Sequence, residues 1–180
     1  MTEYETLAES SAVYFDACAL LKIGVEEDPD SGLVRCLVYL SRIPAYCSMI
    51  GFGEFVGVAG KKRSQARIGA AGYLHQCRSL LVDRDMGKLQ LVEPVADRFE
   101  FIREAEDLLS RHQRLGGGDI WHLMAVRQLS RQHSPATLFS FDEDLVKAAA
   151  AERLRAVLGS ALDRELLIRE LTTRGKWVPA

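Results

Sequence analysis

Five short runs rich in apolar strand formers recur along the chain, at 12–15 (AVYF), 45–48, 88–92 (KLQLV), 136–141 and 154–158. Each has strand length and strand composition. Between them the apolar positions switch to a helical period. Leu33, Leu37 and Leu40 share one face of a helix over 33–43, which Pro44 stops. Further helices are predicted over 17–24, 49–60, 65–82, 96–113, 119–132, 142–152 and 160–174. In 96–113 the inward positions read as Phe99, Ile102, Ala105, Leu108 and Leu109, and in the last helix as Leu162, Leu166 and Leu171. Segment 26–32 (EEDPDSG) reads as a surface turn, 116–118 as a sharp glycine break, and 175–180, with Trp177, as a surface arm.

Strands alternating with helices predict an α/β fold with a mainly parallel sheet of four or five strands. A length of 180 residues, 48% of them hydrophobic, suffices for one packed core. We therefore expect a single domain over 1–180, with a core over 12–158 and a helical C-terminal extension over 159–180. The net charge of −2 gives no general attraction to a polyanion, so a nucleic-acid partner would need a local basic patch. The four cysteines form no CxxC pair, zinc-type spacing or disulfide framework. Cys18, Cys36 and Cys47, among apolar neighbours, read as small core residues. The polar, acidic start does not read as a signal peptide, and no apolar run has the length of a membrane span. A cytoplasmic protein with no membrane partner is the simplest expectation.

Four acids change this picture. Asp16 and Asp142 end two of the strand runs, and Glu54 and Asp119 lie near the starts of two helices. In parallel α/β sheets, ligand sites lie beyond the carboxyl ends of the strands. Each acid alone has a plainer reading: Asp16, Asp119 and Asp142 as helix caps, Glu54 as a solvent-facing helix residue. Capping and ligation are compatible, and the arrangement recurs four times. If the four share a pocket, two unit charges about 5 Å apart at an effective dielectric of about 20 repel by about 3 kcal/mol. Protons or cations must then enter. Carboxylates are hard oxygen ligands that favour Mg²⁺ or Mn²⁺, and no His or Cys is placed for zinc. Such ions acidify water and neutralise charge during in-line displacement at a phosphodiester.

The segment Val13-Tyr14-Phe15-Asp16-Ala17-Cys18-Ala19-Leu20-Leu21-Lys22 resembles the opening motif of PIN-domain nucleases. Ser48 to Phe55, with Glu54, resembles the second acidic motif, and Asp119-Ile120-Trp121-His122-Leu123 the third. Leu138-Phe139-Ser140-Phe141-Asp142-Glu143-Asp144-Leu145 resembles the fourth, with Ser140 at the small hydroxyl position. The resemblance implies a three-layer α/β/α sandwich and an Mg²⁺- or Mn²⁺-dependent ribonuclease. It ranks Asp16, Glu54 and Asp119 as the ligand core, with Asp142 the more variable fourth member. It also implies the VapC-type toxin role, with RNA as substrate, a small antitoxin and a homodimer. The extension after Leu158 and the glycine-rich helix around Glu54 depart from the compact toxin pattern.

Lys61, Lys62, Arg63 and Arg67 are candidates for a phosphate-binding rim, as are Arg111 and Arg114; the plainer reading is a solvated helix end. Ser140 could orient Asp142 or a metal-bound water, or be a plain strand residue; Asp144 is a reserve ligand whose plainer reading is a solvent-facing helix position; His122 could bond Asp119 or a phosphate, with a structural histidine the plainer reading. Two other function classes compete. Gly51, Gly53 and Gly57 invite a dinucleotide-binding reading, but the spacing is GxGxxxG with an acid inside it. The other is a PIN-like scaffold that binds RNA or protein without cutting.

Overall fold

The computed structural model describes residues 1–23, 29–65, 67–93 and 98–178. Five parallel strands form one sheet: β1 (Ala12–Phe15), β2 (Ala45–Cys47), β3 (Leu89–Leu91), β4 (Ala136–Ser140) and β5 (Arg155–Leu158), in the order β3-β2-β1-β4-β5. Register runs from Val13 opposite Ala45 on one side of β1 to Phe15 opposite Phe139 on the other. All five strand runs read from the sequence are present, each within a residue or two of its expected bounds.

Both faces of the sheet are covered, which explains the continuous apolar runs of β1 and β4. Val13, Phe15 and Phe139 point into one core layer, with α2 (Ala17–Ile23), α3 (Ser31–Arg35), α4 (Met49–Ser64) and α5 (Ala70–Asp85). Ala12, Tyr14 and Leu138 point into the other, with α6 (Arg98–Arg111), α7 (Gly117–Gln132) and α8 (Glu143–Ala151). The architecture is thus the expected α/β/α sandwich.

The expected helix over 33–43 is split. After α3, residues Cys36–Leu40 widen into a π-helical turn that ends where Ser41 donates to the Leu37 carbonyl at 2.6 Å. Helix α5 starts later than expected, at Ala70, and α4 runs on to Ser64 through its basic last turn, where cations suit the helix dipole. Residue 24 of the expected 17–24 helix, 26–28 of the expected turn, 96–97 of the expected 96–113 helix and 179–180 of the expected arm lie outside the described residues.

Two apolar faces differ from expectation. In α6, Phe101, Ala105 and Leu108 meet the core, while Phe99 and Ile102 are 76% and 59% exposed. The helix carries two apolar stripes, and the inward one sets Phe101 against Trp121, with the rings tilted and their centroids 4.9 Å apart. In the last helix, α9 (Arg164–Thr173), Leu167 and Leu171 are fully buried whereas Leu166 is exposed. Asp163 caps α9 by accepting from the Leu166 N–H at 3.0 Å.

Helix α1 (Glu3–Glu9) was not expected. Thr2 and Glu5 close a reciprocal capping box at its start, and Leu7 is fully buried. Helices α1 and α9 pack together, so the C-terminal extension is seated on its own chain. The tail is a strap rather than a surface arm. Lys176 Nζ donates to the Ser10 carbonyl at 2.6 Å, the Val178 N–H donates to the Leu40 carbonyl at 2.8 Å, and Trp177 bridges to Ser41.

Leu167→Ala should therefore lower the unfolding free energy by about 2–5 kcal/mol, as for other buried leucines. Urea denaturation followed by circular dichroism checks this; a loss near zero would mean that α9 is peripheral to the core.

Candidate functional site

The order β3-β2-β1-β4-β5 reverses direction between β1 and β4, so the crevice at their carboxyl ends is the topological switch point. Asp16 is the first residue beyond β1 and is 2% exposed. Its Oδ1 accepts from the Ala19 N–H at 2.8 Å, capping α2, and its Oδ2 accepts from the Ser140 hydroxyl at 2.5 Å. Ser140, the last residue of β4, also accepts from the Asp142 N–H at 2.9 Å. One hydroxyl thus ties the two strand ends across the crevice. Burial raises the pKa of Asp16, and the charge of Asp142 adds to this; the bonds from Ser140 and Ala19 oppose it.

Asp142 is the N-cap of α8 and accepts from the Leu145 N–H at 3.0 Å. Asp119 is the third residue of α7 rather than its N-cap. Gly117 and Gly118 already belong to the helix, and Asp119 reaches back to accept from the Gly116 N–H at 2.8 Å. Glu54 lies in the second turn of α4, and its Oε2 is 3.0 Å from Nε2 of His122. Its Oε1 lies over Gly118, where a Cβ would stand 2.0 Å away. The glycine run therefore does more than break the chain: it opens the space that the Glu54 carboxylate fills.

Cys18 lies in α2, two residues after Asp16. Contrary to the core role expected of it, Cys18 is exposed, whereas Cys36 and Cys47 are buried. All four cysteines are free thiols. The low-dielectric surroundings, and then the charges of Asp16, Asp142, Asp119 and Glu54, push the Cys18 thiol up to about 12. All four carboxylate charges thus bear on the Cys18 thiol.

The donor set suits a hard divalent cation: four carboxylates and no competing thiolate. Among the described residues, Glu54, Asp119 and Asp142 each use one oxygen in the bonds above and keep a second for a ligand. Among those same residues, no three acidic, imidazole or thiol groups are already gathered to hold one ion. Loading would need short side-chain movements.

Other expected site residues lie apart. Lys61, Lys62 and Arg63 occupy the last turn of α4, about 10–14 Å along the helix from Glu54 at about 1.5 Å per residue. The Arg63 guanidinium sits 5.4 Å from the ring centre of Tyr73, and Arg67 is exposed between α4 and α5. Arg111 is bound to Asp107 and Glu152, each at 2.6 Å. Arg114 is 84% exposed and 3.7 Å from Asp144, so that reserve acid has a cationic neighbour. His122 bonds Glu54 rather than Asp119, because α4 crosses α7 at this turn. Gly51, Gly53 and Gly57 all lie inside α4, so they form no phosphate-binding loop.

Several site residues were not singled out from the sequence. Tyr14 OH is 2.7 Å from Nδ1 of His122 and donates to Ser48 Oγ at 2.9 Å. Beside Glu54 an open cleft of about 430 Å³ is walled by Met49, Ile50 and Trp121 and floored by Gly53, Gly117 and Gly118. Serine immediately before an apolar helix signals an N-cap, which is Ser48's role in α4. Nothing local in the sequence distinguishes Tyr14 from its apolar neighbours.

No family model matches the chain, and no curated protein sequence matches it. Its fold does have solved counterparts. FitAcB from Neisseria gonorrhoeae superposes with a TM-score of 0.53 at 15% identity, over 83% of this chain and 99% of that one. PAE2754 from Pyrobaculum aerophilum superposes with a TM-score of 0.52 at 17% identity, over 89% of this chain and 96% of that one. Both are PIN-domain structures, so the sandwich is PIN-like. At these identities the likeness speaks for the fold.

The thiol offers a direct check on the convergence of charge. In a Cys77→Ser background, Cys18 should resist alkylation at about pH 8, because the thiolate is the reacting form. Asp142→Asn and Glu54→Gln should each move the alkylation rate profile to lower pH, since removing a nearby negative charge favours the thiolate. A profile indifferent to both would place the carboxylates elsewhere.

Proposed function

We propose that the chain is a divalent-metal-dependent endoribonuclease that hydrolyses RNA phosphodiester bonds with water as the nucleophile. The observation that carries this reading is the Ser140 hydroxyl that joins Asp16 and Asp142 at the β1–β4 switch point. Asp16, Glu54, Asp119 and Asp142 would hold Mg²⁺ or Mn²⁺. Held there, such an ion would supply the Lewis acidity that this hydrolysis calls for. The chain's own part is to present hard oxygen ligands from four separate elements. Ser140 keeps Asp16 and Asp142 in register, and the buried setting of Asp16 excludes bulk water from one side. The cleft walled by Met49, Ile50 and Trp121 gives the nucleoside next to the scissile bond an apolar surface.

The motif resemblance of the four acidic segments extends the proposal to a VapC-type toxin role with a small antitoxin partner and a homodimer. Among the described residues no helix is long and apolar enough to cross a membrane. A second reading, a non-catalytic scaffold that binds RNA or protein, is favoured by one observation: among the described residues no three ligands are pre-assembled.

Mn²⁺ titrated into the wild type should bring on cleavage of single-stranded RNA, and Asp16→Asn should lose it while still melting cooperatively. RNA bound tightly but uncut at every metal concentration would leave the scaffold. Lys61, Lys62, Arg63 and Arg67 would hold flanking phosphates, since the first three stand well away from Glu54. Exchanging Lys61, Lys62 and Arg63 for Gln should reduce the slope of log affinity against log salt by about 2 for single-stranded RNA. An unchanged slope would remove these residues from the RNA path.

A further inference from the structure

We infer that His122 is a positioning residue that holds the Glu54 carboxylate in its cation-binding orientation, anchored through Tyr14 and Ser48; this rests on the metal-site reading above. Glu54 has a long side chain that is 41% exposed, on a helix rich in glycine. Left to itself, such a side chain samples many rotamers. Here one oxygen is bonded, and the other occupies a space left open by a glycine. Oε2 meets Nε2 of His122 at 3.0 Å, and Oε1 rests over the Gly118 backbone in the first turn of α7. That end of the helix favours negative charge.

The imidazole is itself fixed. His122 is 2% exposed, and its Nδ1 is 2.7 Å from Tyr14 OH, with the two rings edge to face at 5.8 Å. A Cβ on Gly51 would stand 3.1 Å from its Cε1, so the start of α4 closes against the ring. Tyr14 is fully buried and donates to Ser48 Oγ at 2.9 Å, and Ser48 accepts from the Gly51 N–H at 3.2 Å. The chain Ser48–Tyr14–His122–Glu54 therefore runs from the ends of β1 and β2 out to a carboxylate in the pocket. None of its inner members reaches the pocket, so they act through Glu54. Residues that orient a metal-binding carboxylate typically affect metal affinity by about 10–100-fold.

Mn²⁺ affinity, read from the free-ion electron paramagnetic resonance signal, tests this without any measurement of cutting. His122→Phe should bind Mn²⁺ about 10–100-fold more weakly than wild type. His122→Gln places an amide nitrogen near the position of Nε2 and should recover most of the affinity. His122→Asn cannot reach Glu54 and should not. Tyr14→Phe, which removes one hydroxyl, should weaken binding by a smaller factor and add nothing to His122→Phe, as coupled residues do. In a Glu54→Ala protein, replacing His122 should change nothing further. Melting curves identify any variant that fails to fold; should His122→Phe be one, the Gln and Asn pair decides. Equal binding by wild type and His122→Phe, or by Gln and Asn, overturns the positioning role alone. A wild type that binds no Mn²⁺ overturns the metal site and this role together.

Discussion

At the carboxyl edge of the sheet, the Ser140 hydroxyl donates to Asp16 and receives the N–H of Asp142. This cross-link spans the point where strand order reverses, and it lets a nearly fully buried carboxylate exist there. A buried carboxylate is costly unless its oxygens are bonded. Asp16 meets that condition on both oxygens, through Ser140 and the Ala19 N–H. The bonds do not cancel the desolvation, and its pKa remains raised. The crevice therefore retains an electrostatic deficit, which a proton or a cation would relieve.

The rest of the pocket follows from the same constraint. Asp142 and Asp119 bond backbone N–H groups at helix starts, where those groups lack partners within the helix. Glu54 uses a different device: an imidazole on one side and a bare glycine backbone on the other. On the flank, Glu152 takes Arg111 and His112 at 2.6 and 2.7 Å, and Arg127 joins Glu152 to Glu104. That network spans α6, α7 and α8 and braces the side of the sheet that carries Asp119 and Asp142.

The strands were legible because a doubly covered parallel sheet requires continuous apolar runs, and AVYF and ATLFS are such runs. Helix rotation was less legible. α6 offers Phe99 and Ile102 on one stripe and Phe101 and Leu108 on another, and period alone cannot choose between them. Helix α1 was missed although Thr2 and Glu5 spell a capping box, because a seven-residue helix carries little periodic signal. The tail after α9 bonds to residues more than a hundred positions earlier, which no local pattern encodes.

The positions of the four acids were set by the chain alone: Asp16 and Asp142 follow strands, and Asp119 and Glu54 lie in the first and second turns of helices, with boundaries written in apolar period and turn residues. Their partners were decided by tertiary structure. Whether His122 meets Asp119 or Glu54 depends on how α4 crosses α7, and its 2.7 Å contact to Tyr14 depends on the depth of β1. Those distances arise from packing two layers against one sheet. The physical reason is range: capping and period act within a few residues, whereas the environment of a buried carboxylate is assembled from segments up to 124 residues apart.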